Sequence, residues 1–115
     1  MFNTTSNYTG LFGYVNGRKI SNLGLAGVNI KGGEGTGGVA GTLSGTGASI
    51  TGCYVSGEVI GGQSTGGIVG RNEKTVNNCY ATGAISGTNE CGGIVGINYG
   101  GAVNNNAALM VSARN

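Results

Sequence analysis

Short apolar runs, each interrupted by small polar residues, set the rhythm of this chain. Segments such as GGIVG, CYVSGEVIG and AISG alternate apolar positions with small or polar ones and are bounded by Gly, Asn, Ser and Thr. That alternation places successive side chains on opposite faces of an extended backbone, so it predicts short strands separated by turns. Helices are not expected, because the chain's 27 glycines put several in each stretch of this length and each would cost about 1 kcal/mol inside a helix.

The runs recur. TGLFG at Thr9 to Gly13 returns as TGGVAG from Thr36, TGGIVG from Thr65 and CGGIVG from Cys91. Taking Gly10, Gly38, Gly67 and Gly93 as equivalent gives steps of 28, 29 and 26 residues. A second landmark keeps the same phase: ISNLGLAG from Ile20, ITGCYVSG from Ile50, VNNCYATG from Val76 and VNNNAALM from Val103. Units of this length occur in leucine-rich repeats, helical repeats and parallel β-helices. The chain has only five Leu and no LxxLxL frame, and its glycines oppose helical repeats. An all-β parallel β-helix remains, with about four coils of 26 to 29 residues and the right-handed winding that crossovers between parallel strands favour.

Alternation then assigns the inward positions. One column reads Leu11, Val39, Ile68, Ile94; a second Ile20, Ile50, Val76, Val103; a third Leu23, Cys53, Cys79, Asn106; a fourth Leu25, Val55, Ala81, Ala108. Stacked coils bring like residues about 4.8 Å apart, giving a narrow core of ladders. Tyr54 and Tyr80, each next to an inward Cys, are expected outside and stacked on one another.

Composition sharpens this picture at three points. The 27 glycines would suggest collagen or disorder, yet the chain has no proline, no three-residue period, 38% apolar residues and only 9% charged ones. The net charge of +2 is spread over Arg18, Lys19, Lys31, Arg71, Lys74 and Arg114 among four Glu, leaving no basic stripe for nucleic acid. No apolar run approaches the roughly 18 to 20 residues that span a bilayer, and MFNTTSNYTG lacks the regions of a signal peptide, so membrane insertion is not expected.

The chain contains no His, no Asp and no Trp. Triads built on His, HExxH zinc sites and Asp-rich calcium loops are thereby excluded, and neither cofactor nor enzymatic activity is expected. Glu34, Glu58, Glu73 and Glu90 stand at different phases of the repeat, which gives no general acid and base pair. Cys53 and Cys79 occupy equivalent positions on neighbouring coils. That spacing admits a disulfide, but ladder side chains stand farther apart than the roughly 3.8 Å its Cβ atoms prefer, which favours two core thiols acting as small hydrophobes. Cys91 is an odd thiol at a position otherwise held by Thr.

Variation concentrates at one corner, where YVNGRK, TLSGTGAS, RNEKT and INYGGA fill the same place in four coils. Repeat proteins collect such variation on one face, often a binding face, so Arg18, Lys19, Arg71, Asn72, Glu73, Lys74 and Tyr99 form the candidate contact face. Thr9, Thr36 and Thr65 recur at coil openings, but this array is too short to order ice, and Cys91 breaks it. The sequons Asn3-Thr4-Thr5 and Asn7-Tyr8-Thr9 would matter only in a eukaryotic secretory setting.

GGIVG followed by VNNCYATGAISG resembles the GLUG repeat of bacterial surface and secreted proteins, and the resemblance covers nearly the whole chain. It implies an extracellular or cell-surface location in a bacterium and an adhesin-like, structural role. The family also occurs in immunoglobulin A peptidases, outside their catalytic part, which implies as an alternative a substrate-positioning accessory region. A carbohydrate-binding β-helix is a third reading, with Tyr54 and Tyr80 as its aromatic pair. Partners expected on these readings are a protein or glycan of a host or neighbouring cell. In the last unit Asn106 and LMVSARN depart from the repeat, which suggests an irregular coil. Met1 falls level with Asn29, so residues 1–115 are expected to be a single solenoid domain cut from a longer protein, or one that stacks end to end on another copy.

Overall fold

The computed structural model describes residues 2–3 and 9–114, with side chains described for 9–108. The described residues contain no helix. After β1 (Phe2–Asn3), the first coil carries β2 (Phe12–Asn16), β3 (Lys19–Ser21) and β4 (Gly24–Lys31). The second carries β5 (Gly35–Gly37), β6 (Ala40–Ser44), β7 (Ser49–Thr51) and β8 (Tyr54–Ile60). The third carries β9 (Ser64–Gly66), β10 (Val69–Asn72), β11 (Thr75–Asn77) and β12 (Tyr80–Ser86). The fourth carries β13 (Glu90–Gly92), β14 (Val95–Asn98), β15 (Ala102–Asn104) and β16 (Ala107–Arg114).

Every strand pairs in parallel with its counterpart one coil away, which is the parallel β-helix the repeat predicts. Four sheets result. Sheet A orders β1-β4-β8-β12-β16, sheet B β5-β9-β13, sheet C β2-β6-β10-β14 and sheet D β3-β7-β11-β15. The registers place Ile20, Ile50, Val76 and Val103 in one column and Leu25, Val55, Ala81 and Ala108 in another, as alternation requires. Phe2 pairs with Ile30, the phase inferred for the first residues. Where the third and fourth coils pair in sheet A the register slips, Gly83 facing Met110 and Ala84 facing Ser112, as it also does between the first and second coils from Leu25 to Val28.

Columns are filled unequally. Val39, Ile50, Val55, Ile68, Val76 and Ala81 of the two middle coils are buried, whereas Leu11, Ile20, Leu23 and Leu25 of the first coil are half-buried. The core also has columns beyond the four read from the sequence: Ile30, Val59 and Ile85, all buried, and Val15 over Leu43. Each fully buried Val or Ile contributes about 1.5 to 3 kcal/mol relative to exposure, which makes these stacks the main source of stability.

Sheet B is the unexpected layer. Every residue of β5 and β9 is buried, although they consist only of Gly, Thr and Ser. Thr36 and Thr65 therefore point inward. Their hydroxyls donate to the carbonyls of Gly33 (2.9 Å) and Gly62 (3.2 Å), which satisfies them away from water. The Thr array is thus an internal ladder that presents nothing to solvent.

The glycines of TGGIVG explain how such a layer fits. A side chain on Gly66 would collide with the Val69 carbonyl of its own turn, and one on Gly67 with the Gly93 carbonyl of the next coil. A side chain on Gly70 would stand 2.5 Å from the Thr36 amide, because β10 passes directly over β5 of the preceding coil. All three glycines are thus set by close approach of backbone to backbone. At the corner before sheet A the requirement is different: Asn22, Gly52, Asn78 and Asn105 hold φ of 54°, 65°, 54° and 53°. Asn and Gly are the residues that tolerate this left-handed turn, which accounts for the alternation of SNL, TGC, NNC and NNN there.

Candidate functional site

The connection from sheet C to sheet D is where the coils differ. It runs from Asn16 to Lys19, from Ser44 to Ser49, from Glu73 to Thr75 and from Tyr99 to Ala102, while the strands on either side keep register. Gly17, Gly45, Gly47 and Gly100 take positive φ in these turns, so each coil solves the corner with its own local geometry.

Of the predicted contact residues, Arg18, Lys19, Glu73 and Tyr99 are exposed and Arg71 and Lys74 are half-buried. Arg71 lies over the Tyr99 ring, 5.2 Å from its centroid, and one guanidinium nitrogen donates to the Tyr99 hydroxyl at 3.2 Å. Its other terminal nitrogen stands 3.8 Å from Glu34. Arg71 of the third coil is thereby tied on the outside to the fourth coil by the Tyr99 ring and to the second by the Glu34 carboxylate.

Asn72 is a correction. It is fully buried and cannot touch a partner. It falls in the column of Leu43 and Val15, and Asn98 follows it one coil on. Its amide nitrogen donates to the Lys74 carbonyl and to Asn98 Oδ1, both at 2.9 Å, while its oxygen accepts from the Lys74 amide at 3.1 Å. Asn98 in turn donates to the Gly101 carbonyl at 2.9 Å. This pair holds two successive corners in shape from within. Aligning Asn72 with Leu43 and Val15 was the signal that would have placed it inside.

Tyr54 and Tyr80 stack as expected, with centroids 5.4 Å apart and planes 7° from parallel. Both remain 38% exposed on the outer face of sheet A. Cys53 and Cys79 are buried thiols with no disulfide between them. The Cys79 thiol donates to the Asn77 carbonyl at 3.3 Å, and burial, the largest influence, pushes its pKa upward. Such a thiol is a poor nucleophile. Cys91 takes the Thr position of sheet B, opposite Thr65.

The carboxylates are dispersed. Glu34 meets Arg71, Glu90 accepts a hydrogen bond from Ser64 at 3.0 Å, Glu58 lies on sheet A and Glu73 at the variable corner. Among the described residues no group of three or more Cys or Glu is placed to hold a metal ion. Thr4, Thr5, Asn7 and Tyr8 of the two sequons lie outside the described residues.

Sequence reasoning did not single out Phe12 and Tyr14, which are 44% and 54% exposed on β2. Tyr14 accepts a hydrogen bond from Ser44 at 2.9 Å. With Val15, Asn16, Arg18, Lys19 and Ile20 they line a concavity of about 430 Å³ at the first corner. The alternation of LFGYV, with Leu11 and Val15 inward, was the available clue.

No curated protein and no solved structure matches the chain. The model of the family described as the GLUG motif matches residues 61–86. Those residues are one complete turn, from the corner before β9 to the last residue of β12. They include Gly66, Gly67 and Gly70, whose close approach shapes this coil, and the VNNCY corner, so this turn carries a GLUG motif and the other coils repeat its pattern.

Proposed function

We propose that this chain is a non-catalytic display and contact module of a bacterial cell-surface or secreted protein, adhesive in role. The observation that carries this reading is the contrast between a uniform interior and one variable outer corner. Inward columns repeat apolar or Thr residues coil after coil, while the corner from sheet C to sheet D changes length, charge and aromatic content. A rigid solenoid that spends its variation on one edge is suited to presenting contacts, because binding residues are held by a scaffold that the changes do not disturb. The partner on this reading is a protein or glycan of a host or neighbouring cell. Catalysis has no support in the residues available, since a chain without His or Asp lacks the usual bases and triads.

The test is binding of the fluorescently labelled chain to cultured epithelial cells by flow cytometry. The variant Arg18→Ala/Lys19→Ala/Arg71→Ala/Lys74→Ala is expected to bind about ten-fold more weakly, the loss of one or two charge-assisted hydrogen bonds. Its strand circular dichroism should match the parent. Equal binding by the variant, or none by the parent, would remove the corner as a contact surface.

A further inference from the structure

We propose that the concavity at the first corner is a binding site for an acidic saccharide, a reading that rests on the display role and gives it a ligand. The volume of about 430 Å³ lies in the range of small-molecule sites and accommodates one to two sugar rings. Its walls combine two chemistries. Phe12 and Tyr14 stand two positions apart on β2, so both rings project from one strand face about 7 Å apart. Both are exposed, which leaves ring surface for the apolar face of a pyranose. Arg18 and Lys19 supply charge at the rim, and Asn16 adds an amide that both donates and accepts.

The charge is local. Between Thr9 and Lys31 the chain has three cations, Arg18, Lys19 and Lys31, and no carboxylate. The later cations at the same corner differ, because Arg71 is engaged by Tyr99 and Glu34 and Lys74 directly follows Glu73 in the chain. A carboxylate on the ligand would therefore find its strongest unopposed attraction at the first coil, with Arg18 able to donate two parallel hydrogen bonds to it.

Val15 and Ile20 add apolar surface to the lining. A second copy of this chain is a poorer occupant. The site's exposed aromatics and cations would meet the same groups of the copy, and Arg18 and Lys19 would face like charge. An extended peptide is also less suited, since the chain turns at Gly17, with φ of 70°, after a five-residue edge.

The experiment is isothermal titration of the whole chain with tetragalacturonate, using maltotetraose as the neutral control and tetraglutamate as the acidic peptide control. Tetragalacturonate is expected to bind with an affinity that falls as salt rises, and maltotetraose and tetraglutamate to bind at least about ten-fold more weakly. Arg18→Gln/Lys19→Gln and Phe12→Ala/Tyr14→Ala should each weaken tetragalacturonate about ten-fold or more, whereas Tyr80→Ala should leave it unchanged. Retained strand circular dichroism and an unchanged melting curve show that a variant is folded. Because Tyr14 also bonds Ser44, Phe12→Ala alone serves if the double variant melts early. Absence of tetragalacturonate binding, equal binding of either control, or a response to Tyr80→Ala in place of Phe12→Ala would overturn the site. So would a concentration-dependent dimer that Phe12→Ala dissolves, because the concavity would then be an interface. If the parent chain still binds epithelial cells in any of these cases, the display role stands and only the saccharide site falls.

Discussion

Val76 and Val103 carry the same side chain in the same column one coil apart, yet Val76 is fully buried and Val103 is 37% exposed. The third and fourth coils repeat this contrast elsewhere. Cys79 is buried where Asn106 is half-buried, and Ala81 is buried where Ala108 is exposed. The residue types scarcely explain the difference. A coil of this fold is too thin to bury its own columns, so burial depends on whether a neighbour lies on both sides. The second and third coils each lie between two others among the described residues, and they hold most of the core.

The strongest way to break that comparison is to delete the same kind of side chain from both regions. Ile50→Ala empties a fully buried site between Ile20 and Val76 and is expected to cost roughly 2 to 5 kcal/mol. Val103→Ala, at the end of the same column, should cost less than about 1 kcal/mol, in line with its exposure. Urea denaturation of both variants checks this. Equal losses would mean that the fourth coil is packed as firmly as the second and that the contrast is an accident of side-chain size.

Asn106 sharpens the comparison, because two explanations of its position give opposite signs. As a column member it stands where Leu23, Cys53 and Cys79 stand, so Asn106→Leu would restore an apolar filler. Its oxygen, however, accepts the Cys79 amide at 2.7 Å and its nitrogen donates to the Val76 carbonyl at 3.0 Å. The side chain thus closes the corner of the third coil from above. Removing it leaves two backbone groups to find water, and Asn106→Leu is expected to destabilise by about 1 to 3 kcal/mol. Faster hydrogen exchange at the Cys79 amide should accompany the loss. A more stable Asn106→Leu would show that apolar stacking outweighs these bonds.

The same distinction explains what could be read from the chain alone. The apolar columns were legible because strand alternation and repeat phase point to the same residues, and Ile50, Val55, Ile68 and Val76 all lie where that reasoning puts them. Sheet B was not, because TGG and STG have the composition of a loop. They are buried only because glycine lets backbone pack on backbone and because Thr36 and Thr65 find carbonyls at short range. Asn72 was hidden for a related reason. In RNEKT it sits between charged residues; the repeat phase that aligns it with Leu43 marks the inward column, but its bonds to Asn98 and the Lys74 backbone are not in the hydrophobic pattern. Polar residues that bury themselves by pairing are the part of this fold that hydrophobic pattern does not report.

The smallest effect concerns the protonation of that interior. Cys79 is buried between coils, and burial raises its thiol pKa above the ordinary value of 9.0 by disfavouring the thiolate. A group whose pKa is higher folded than unfolded binds its proton more tightly in the native state. Its contribution to stability is therefore complete below about pH 9 and is lost as pH rises through the folded value. Unfolding free energy measured between pH 7 and 10.5 should fall more steeply for the parent chain than for Cys79→Ala, which has no proton to lose there. Cys79→Ala will begin from a lower stability, since the column loses a sulfur, so the slope is the informative quantity. Identical slopes would mean that water reaches this column readily, and the contrast between enclosed and end coils would then lose its basis at this position.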